Sequence, residues 1–254
     1  MCLRRYKLTI AYDGTDFHGW QKQEPPDRDP LRTVGGVVCE ALQRLLRQRI
    51  QLVGASRTDA GVHAEGQVAH FDAQIPIPID RLAKALNSRL PGDVEAVSVE
   101  QVASNFDAIR SVHSKQYVYR IFNTVRRPLV NRHVVWHCWT PLDDGRMQEA
   151  AHRLIGEHDF SAFAAAGHGR TTTVRRILRC RVERDVRNAS ELHVLIEGDG
   201  FLYNMVRIIA GTLVEVGRGR FDVNIIDRML SECDRSLGGP TLPPQGLCLQ
   251  WVRY

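Results

Sequence analysis

Apolar and polar positions alternate with a period of two over Tyr6–Tyr12 and again over Val94–Val102, and each run predicts a strand. Between them the period changes. Thr33 stands as an N-cap before Val34, Val37, Val38, Ala41, Leu42, Leu45 and Leu46, which predicts a helix to about Gln48, weakened in its first turn by Gly35 and Gly36. Ile50–Val53 and Gln67–Phe71 read as two short strands. Asp80 is the expected cap of a second helix carrying Leu82, Ala85, Leu86 and Leu90, stopped by Pro91-Gly92. The order strand, helix, strand, strand, helix, strand is the ferredoxin-like arrangement.

The second half repeats that order. Lys115–Asn123 is a strand with Tyr117, Tyr119 and Ile121 on one face, and Val134–Trp139 adds an extra strand. Asp143 caps a helix with Met147, Ala150, Ala151, Leu154 and Ile155, closed by Gly156. Val174–Asp185 is a long strand, with Leu178, Cys180 and Val182 facing one way and Arg175, Arg179 and Arg181 the other. Leu192, Val194 and Ile196 mark its neighbour, and Phe201–Val216 is an apolar helix. Asp222 caps a short helix through Leu230, and Leu247–Val252 closes the chain as a strand. The pattern therefore predicts an α+β protein of two ferredoxin-like halves with antiparallel sheets, 1–105 and 106–254, meeting at a central cleft. A cleft of that kind is a natural ligand site.

Composition narrows the class. The 254 residues are 43% hydrophobic and 25% charged, as expected for a soluble globular chain. No apolar run is long enough to span a bilayer, and Met1–Tyr6 has no apolar signal region, which points to the cytoplasm. The net charge of +5 is permissive for nucleic acid without proving it. The six cysteines form no CxxC pair and read as reduced, packed thiols. The best metal candidate is His133 with His137 and Cys138, but no second ligand pair stands at zinc spacing.

Three places carry candidate chemistry. The first is the Gly-rich stretch 54–72, which presents Asp59 two residues after Arg57 on a loop held between strands. Taken alone, Asp59 reads as a turn former. The second is Arg207, a charge inside an apolar helix that must snorkel to solvent or pair with Asp59, Glu215 or a phosphate. The third is the Tyr117–Tyr119 face, either core or a stacking surface for bases. Phe17 and Trp20 read as core, and Glu24–Pro30 as a loop.

Arg57-Thr58-Asp59-Ala60-Gly61-Val62-His63-Ala64 resembles the signature of the tRNA pseudouridine synthase A family. The resemblance covers nearly the whole chain. Other matching segments are Tyr12-Asp13-Gly14-Thr15 with Gly19-Trp20-Gln21, Asn87–Pro91, Phe106-Asp107-Ala108 and Lys115–Tyr119. Further along come His158–Phe163, Phe201–Arg207 and Pro244–Leu247. Ordered matches of this number are far more specific than one short motif. Two positions depart from the pattern: Gly35 stands where glutamine is frequent. Ile109 stands where arginine is frequent, with Arg110 one step along a predicted strand and so turned to the other face.

The resemblance implies the pseudouridine synthase fold and an isomerase acting on uridines 38, 39 and 40 of the tRNA anticodon arm. It implies no cofactor or metal, and a homodimer with tRNA across both subunits. It places the catalytic aspartate on Asp59, the active-site tyrosine on Tyr117 and the aspartate's arginine partner on Arg207, with Arg57 in the same site. The residue types suit that reaction. Breaking C1′–N1, turning the base and joining C1′ to C5 oxidises and hydrolyses nothing, but it needs an ionised carboxylate. Asp59 attacks C1′ or removes a sugar proton, and the sequence leaves both open. Arg207 would hold Asp59 ionised, Tyr117 would stack on the freed uracil, and Arg57 would stabilise the flipped nucleotide or bind phosphate. The rivals are a non-catalytic tRNA-binding protein of the same fold and a glycosidase-like hydrolase. The latter usually wants a second carboxylate, and Glu65 and Asp72 read as turn and strand-edge residues.

Overall fold

The computed structural model describes residues 3–23, 29–165 and 172–254. Cys2 and most of the predicted 24–30 loop lie outside the described residues. By contact the chain forms two compact units, Met1–His113 with Cys248–Tyr254, and Ser114–Leu247. The sequence pattern draws its division at 105/106 and keeps the last strand with the second half.

The first unit contains β1 (Arg4–Tyr12), α1 (Val34–Leu46), β2 (Val53–Gly54), β3 (His63–Ala73), α2 (Ile79–Asn87) and β4 (Val94–Val102). Strand β1 lies between β3 and β4, antiparallel to both, and β2 pairs antiparallel with β3. This is the ferredoxin-like order 4-1-3-2. Alternation along β1 buries Tyr6, Leu8, Ile10 and Tyr12. The chain returns as β10 (Leu247–Arg253), which runs parallel to β3 at His63 and Ala64, while β2 takes the same strand at Ala69 and His70.

Several predicted boundaries move, each for a local reason. Ile50–Leu52 is not strand: the Ile50 carbonyl accepts from Cys39 Sγ and Gln43 Nε2, both at 3.2 Å, which ties the segment to α1. Thr33 caps α1 as expected, but the helix stops at Leu46 because Arg47 adopts a left-handed φ of 53°. Asp80 sits in the first turn of α2 after Pro78 rather than at the cap. That helix ends at Asn87, whose side-chain amide exchanges two hydrogen bonds with the Ala96 backbone of β4, at 3.0 and 2.7 Å.

Residues 103–113 account for the unit's extent. Ala108 packs with Ala55 and Val68, joined by Phe106, Val112, Val252 and Tyr254, in a small core of its own. The Phe106–Arg110 segment is a turn, not a strand: Asp107 Oδ1 accepts from the N–H groups of Ile109 (2.8 Å) and Arg110 (2.9 Å). The strand argument that turned Arg110 away from Ile109 therefore does not apply, and both side chains are exposed.

The second unit contains β5 (Ser114–Asn123), β6 (Trp136–Cys138), α3 (Asp144–His152), β7 (Gly156–Asp159), β8 (Val174–Arg184), β9 (Glu191–Gly198), α4 (Met205–Gly217) and α5 (Ile225–Glu232). Strand β9 pairs antiparallel with β5 and with β8, and β7 with β8, so β5, α3, β8, β9 and α4 repeat the first five elements of the other unit. Helix α3 packs on β8 and α4. Asp143 caps α3, accepting from Arg146 N at 2.9 Å.

Here too the corrections are physical. The predicted Val134–Trp139 strand shrinks to β6, and β7 went unpredicted. A register shift between Ile177 and Arg179 breaks the alternation of β8. Such a bulge turns the chain by one extra residue, so Ile177, Cys180 and Val182 are buried and Leu178 is exposed. Helix α4 begins at Met205, not Phe201, because Asn204 takes a left-handed φ of 60°. Asp222 makes a turn with Asn224 N ahead of α5 instead of capping it. Among the described residues no helix is long and apolar enough to cross a membrane.

Candidate active site

The loop that joins β2 to β3, residues 55–62, carries Arg57 exposed and Asp59 half-buried. Its entry is fixed on both sides. Ala55 N donates to Val68 O at 2.7 Å, and Gln67 Nε2 to Ser56 O at 2.8 Å. Thr58 is buried, its hydroxyl 2.7 Å from the Tyr12 hydroxyl, and its carbonyl accepts from Trp20 N at 3.0 Å. Asp59 thus follows a residue held by both its side chain and its backbone.

The loop lies directly on residues 13–20, which explains why the Asp-Gly and Gly-Trp segments travel with it. A Cβ on Gly14 would overlap the Val62 carbonyl oxygen, and one on Gly19, at φ +87°, would come within 2.5 Å of the Thr58 carbonyl oxygen. Only glycine permits backbones that close. Gly61 N donates to Phe17 O at 3.2 Å and Val62 N to Asp59 O at 3.2 Å. At the exit, His63 is buried, and its Nδ1 accepts from Gly14 N at 3.0 Å. Phe17 and Trp20 are buried, as the sequence predicts. The departure at Gly35 belongs to the same support: Gly35 N donates to Trp20 O at 2.9 Å and seats the start of α1 against the loop.

In the second unit Tyr117 is buried on β5, its ring edge-on to Phe201 at 5.1 Å. Arg207 occupies the first turn of α4 and is the one residue of that helix that is not buried. Its Nε donates to Leu242 O and its Nη1 to Asn204 Oδ1, both at 2.7 Å. The left-handed Asn204 therefore starts the helix and orients its arginine. Glu215, a partner considered for Arg207, is taken by Arg218 (2.7 Å) and Arg220 (3.0 Å). Tyr119 donates to Pro243 O at 2.7 Å; burial pushes its phenol well up, against the pull of Arg207, so it serves as a neutral donor.

Each sequence-chosen residue is thus placed within its own unit: Asp59 and Arg57 on the clamped loop, Tyr117 and Arg207 on β5 and α4. The sequence reading missed the supporting set, Tyr12, Thr58, His63 and Asn204. Asn204 had a signal, since asparagine before an apolar helical run marks a helix start. On β8 Arg176, Arg179 and Arg181 are exposed, while Arg175 Nη1 is turned onto the carbonyls of Thr172 and Val174. His133 lies in a turn, the His137 ring bonds Thr124 O at 2.8 Å, and among the described residues no three His, Cys, Asp or Glu side chains are grouped for a metal ion.

A family model described as tRNA pseudouridine synthase matches residues 8–109 and 150–254. The chain is 43% identical over 253 residues to tRNA pseudouridine synthase A of Pelobacter propionicus, covering 99% of this chain and 100% of that protein. It is 42% identical over 252 residues to the protein of the same name from Brevibacillus brevis, with the same coverage. Against tRNA pseudouridine synthase A 2 of Clostridium perfringens it is 40% identical over 253 residues, again covering 99% and 100%. Matches of this identity along the full length of both chains show that this chain belongs to the tRNA pseudouridine synthase family.

Proposed function

We propose that this chain converts uridine to pseudouridine at positions 38, 39 and 40 of the tRNA anticodon stem-loop, with Asp59 as the essential carboxylate. The observation that carries the reading is the clamped loop 55–62. A loop that carries a carboxylate and is held at both ends by buried hydrogen bonds and glycine contacts is costly to build for a protein that only binds a polyanion. Rigid placement is what a reaction at a flipped nucleotide requires. Asp59 acts at C1′ or on the sugar proton. Tyr117 stacks on the freed uracil while it turns, Arg207 keeps the carboxylate ionised, and Arg57 supports the flipped nucleotide. The C1′–N1 bond breaks, C1′–C5 forms, the C5 proton leaves and N1 gains one, so substrate and product have equal mass. The protein works in the cytoplasm as a homodimer on this reading.

The test is incubation of the protein and Asp59→Ala with unmodified tRNA, with no metal or cofactor added, followed by chemical mapping of pseudouridine. Pseudouridine in the anticodon arm with the native chain and none with Asp59→Ala supports the reading. A folded, tRNA-binding native chain that makes none leaves a binding protein, and release of free uracil indicates a hydrolase. Binding is also expected to weaken steeply with salt, because phosphate contacts release counterions.

A further inference from the structure

The exit of the Asp59 loop is held by a side chain to which the reaction assigns no part. His63 is the first residue of β3 and is 4% exposed. Its Nδ1 accepts the Gly14 N–H at 3.0 Å, while the Val62 carbonyl, one residue earlier, rests against the Gly14 Cα. Val62 and His63 therefore grip Gly14 from two sides. Val62 N in turn donates to the Asp59 carbonyl at 3.2 Å, so the grip lies one hydrogen bond from the residue that carries the carboxylate. A ring nitrogen that accepts an N–H carries no proton itself, so this bond requires a bare Nδ1. The Asp13 carboxylate oxygen stands 3.2 Å from the same Nδ1 and accepts from Thr15 N at 2.9 Å. A protonated ring would donate to Asp13 and leave the Gly14 N–H without its acceptor.

We propose that His63 is a positioning residue: as a neutral acceptor it fixes Gly14 under the loop exit, and through that contact sets the position of the Asp59 carboxylate. This rests on Asp59 being the essential carboxylate. His63 touches no substrate on this account, so its loss shows in turnover and not in binding. Misplacing a reacting group by about 1 Å costs on the order of 100-fold in rate.

The experiment compares kcat and KM for pseudouridine formation in His63→Leu, His63→Asn and Asp59→Ala, with tRNA affinity and Tm measured alongside. Asparagine puts its Oδ1 where Nδ1 stands and keeps an acceptor for Gly14 N–H; leucine does not. His63→Leu is expected to lose roughly 10- to 100-fold in kcat, with KM and tRNA affinity within about twofold, and His63→Asn to recover most of that loss. Equal rates in the two variants, or a loss confined to KM, overturn the proposal. If His63→Leu fails to fold, His63→Gln replaces it, since its longer chain carries the amide past the Nδ1 position. Asparagine and glutamine variants of equal kcat then overturn the proposal in the same way. A fully active Asp59→Ala sinks the underlying reading instead, whereas a dead Asp59→Ala beside a normal His63→Leu sinks only this inference.

Discussion

Strand β3 carries two buried histidines that make the same bond. His63 is 4% exposed and accepts Gly14 N–H through Nδ1 at 3.0 Å; His70 is 6% exposed and accepts Ala108 N–H through Nδ1 at 3.0 Å. They are seven residues apart, but the register shift of β3 against β1 between Ala64 and Gln67 adds one residue, so both point to the same face of the sheet. What differs is the far end of each bond. Gly14 supports the loop of Asp59. Ala108 belongs to the small core with Phe106 and Tyr254, where its carbonyl also accepts from the Tyr254 hydroxyl at 2.9 Å. Arg5 adds a bond to Phe106 O at 2.9 Å and a bidentate pair with Asp72. One motif therefore serves two purposes: His63 places chemistry, and His70 fastens a segment already held by several other bonds. Identical local geometry says nothing about role until the partner of the partner is followed.

The strongest way to break the comparison acts on Gly14. Gly14→Ala pushes a methyl into the Val62 carbonyl, two backbones that cannot both stay in place. Its expected effect is at least ~100-fold on kcat, together with a lower Tm. Gly92→Ala is the control, because a Cβ there meets nothing within 4 Å and its effect should stay within about 0.5 kcal/mol. A Gly14→Ala protein that turns over normally would mean that the loop does not depend on its support.

His70→Leu comes next, and it should reverse the pattern expected for His63. Leaving the Ala108 N–H buried without its acceptor costs about 1–3 kcal/mol of stability. The folded enzyme should keep kcat within about twofold, since the contact Ala108 makes with the loop is apolar packing at its entry residue, Ala55. A denaturant midpoint and kcat measured on the same preparation test this; a fall in kcat matching that of His63→Leu would erase the distinction between the two histidines.

Neither histidine's role was legible in the chain. His70 fell inside the predicted strand Gln67–Phe71 and His63 in the loop motif ahead of it, and neither periodicity nor motif reports which distant N–H a ring meets. The same limit hid Tyr12–Thr58 and the Asn204–Arg207 bond. The elements themselves were readable where burial alone sets them, as in Tyr6–Tyr12, Val94–Val102 and the Thr33-capped helix. They were misread where one backbone conformation decided the outcome: the bulge at Leu178, left-handed Asn204, and the turn at Asp107. The loop with Arg57 and Asp59 was found because its residue types are unusual together, while its clamps come from glycines whose tight contacts only the fold reveals.

Tyr254→Phe probes the far side of the His70 cluster more gently. It removes the hydroxyl that donates to Ala108 O and keeps the ring, which packs 4.8 Å from Phe106. About 1 kcal/mol of stability should be lost, with no change in kcat. The loss should shrink when His70→Leu is already present, because both bonds hold the same residue and neighbours in one network do not add. Full additivity in the double variant would show that the turn is not held as a unit.

The smallest effect is a slope with pH, and it belongs to His70. Burial, reinforced by the Arg5 charge, holds the His70 ring below its ordinary value, with Asp107 and Asp72 pulling the other way. The ordinary value is about 6.5. Between the lowered value and that one, the unfolded chain binds a proton that the folded chain refuses, so stability rises with pH across the window. The contribution is complete above about pH 6.5 and declines as pH falls toward the folded value. Asp72 does not confuse the reading: its hydrogen bond to Arg5 lowers its carboxyl, so its own contribution is lost only on falling below the ordinary carboxylate value of about 3.9. Unfolding free energies at about pH 7 and pH 5 for the native chain and His70→Asn should therefore differ in slope, the variant being flatter. An unchanged slope in His70→Asn would mean that burial does not keep the proton off His70 in this window.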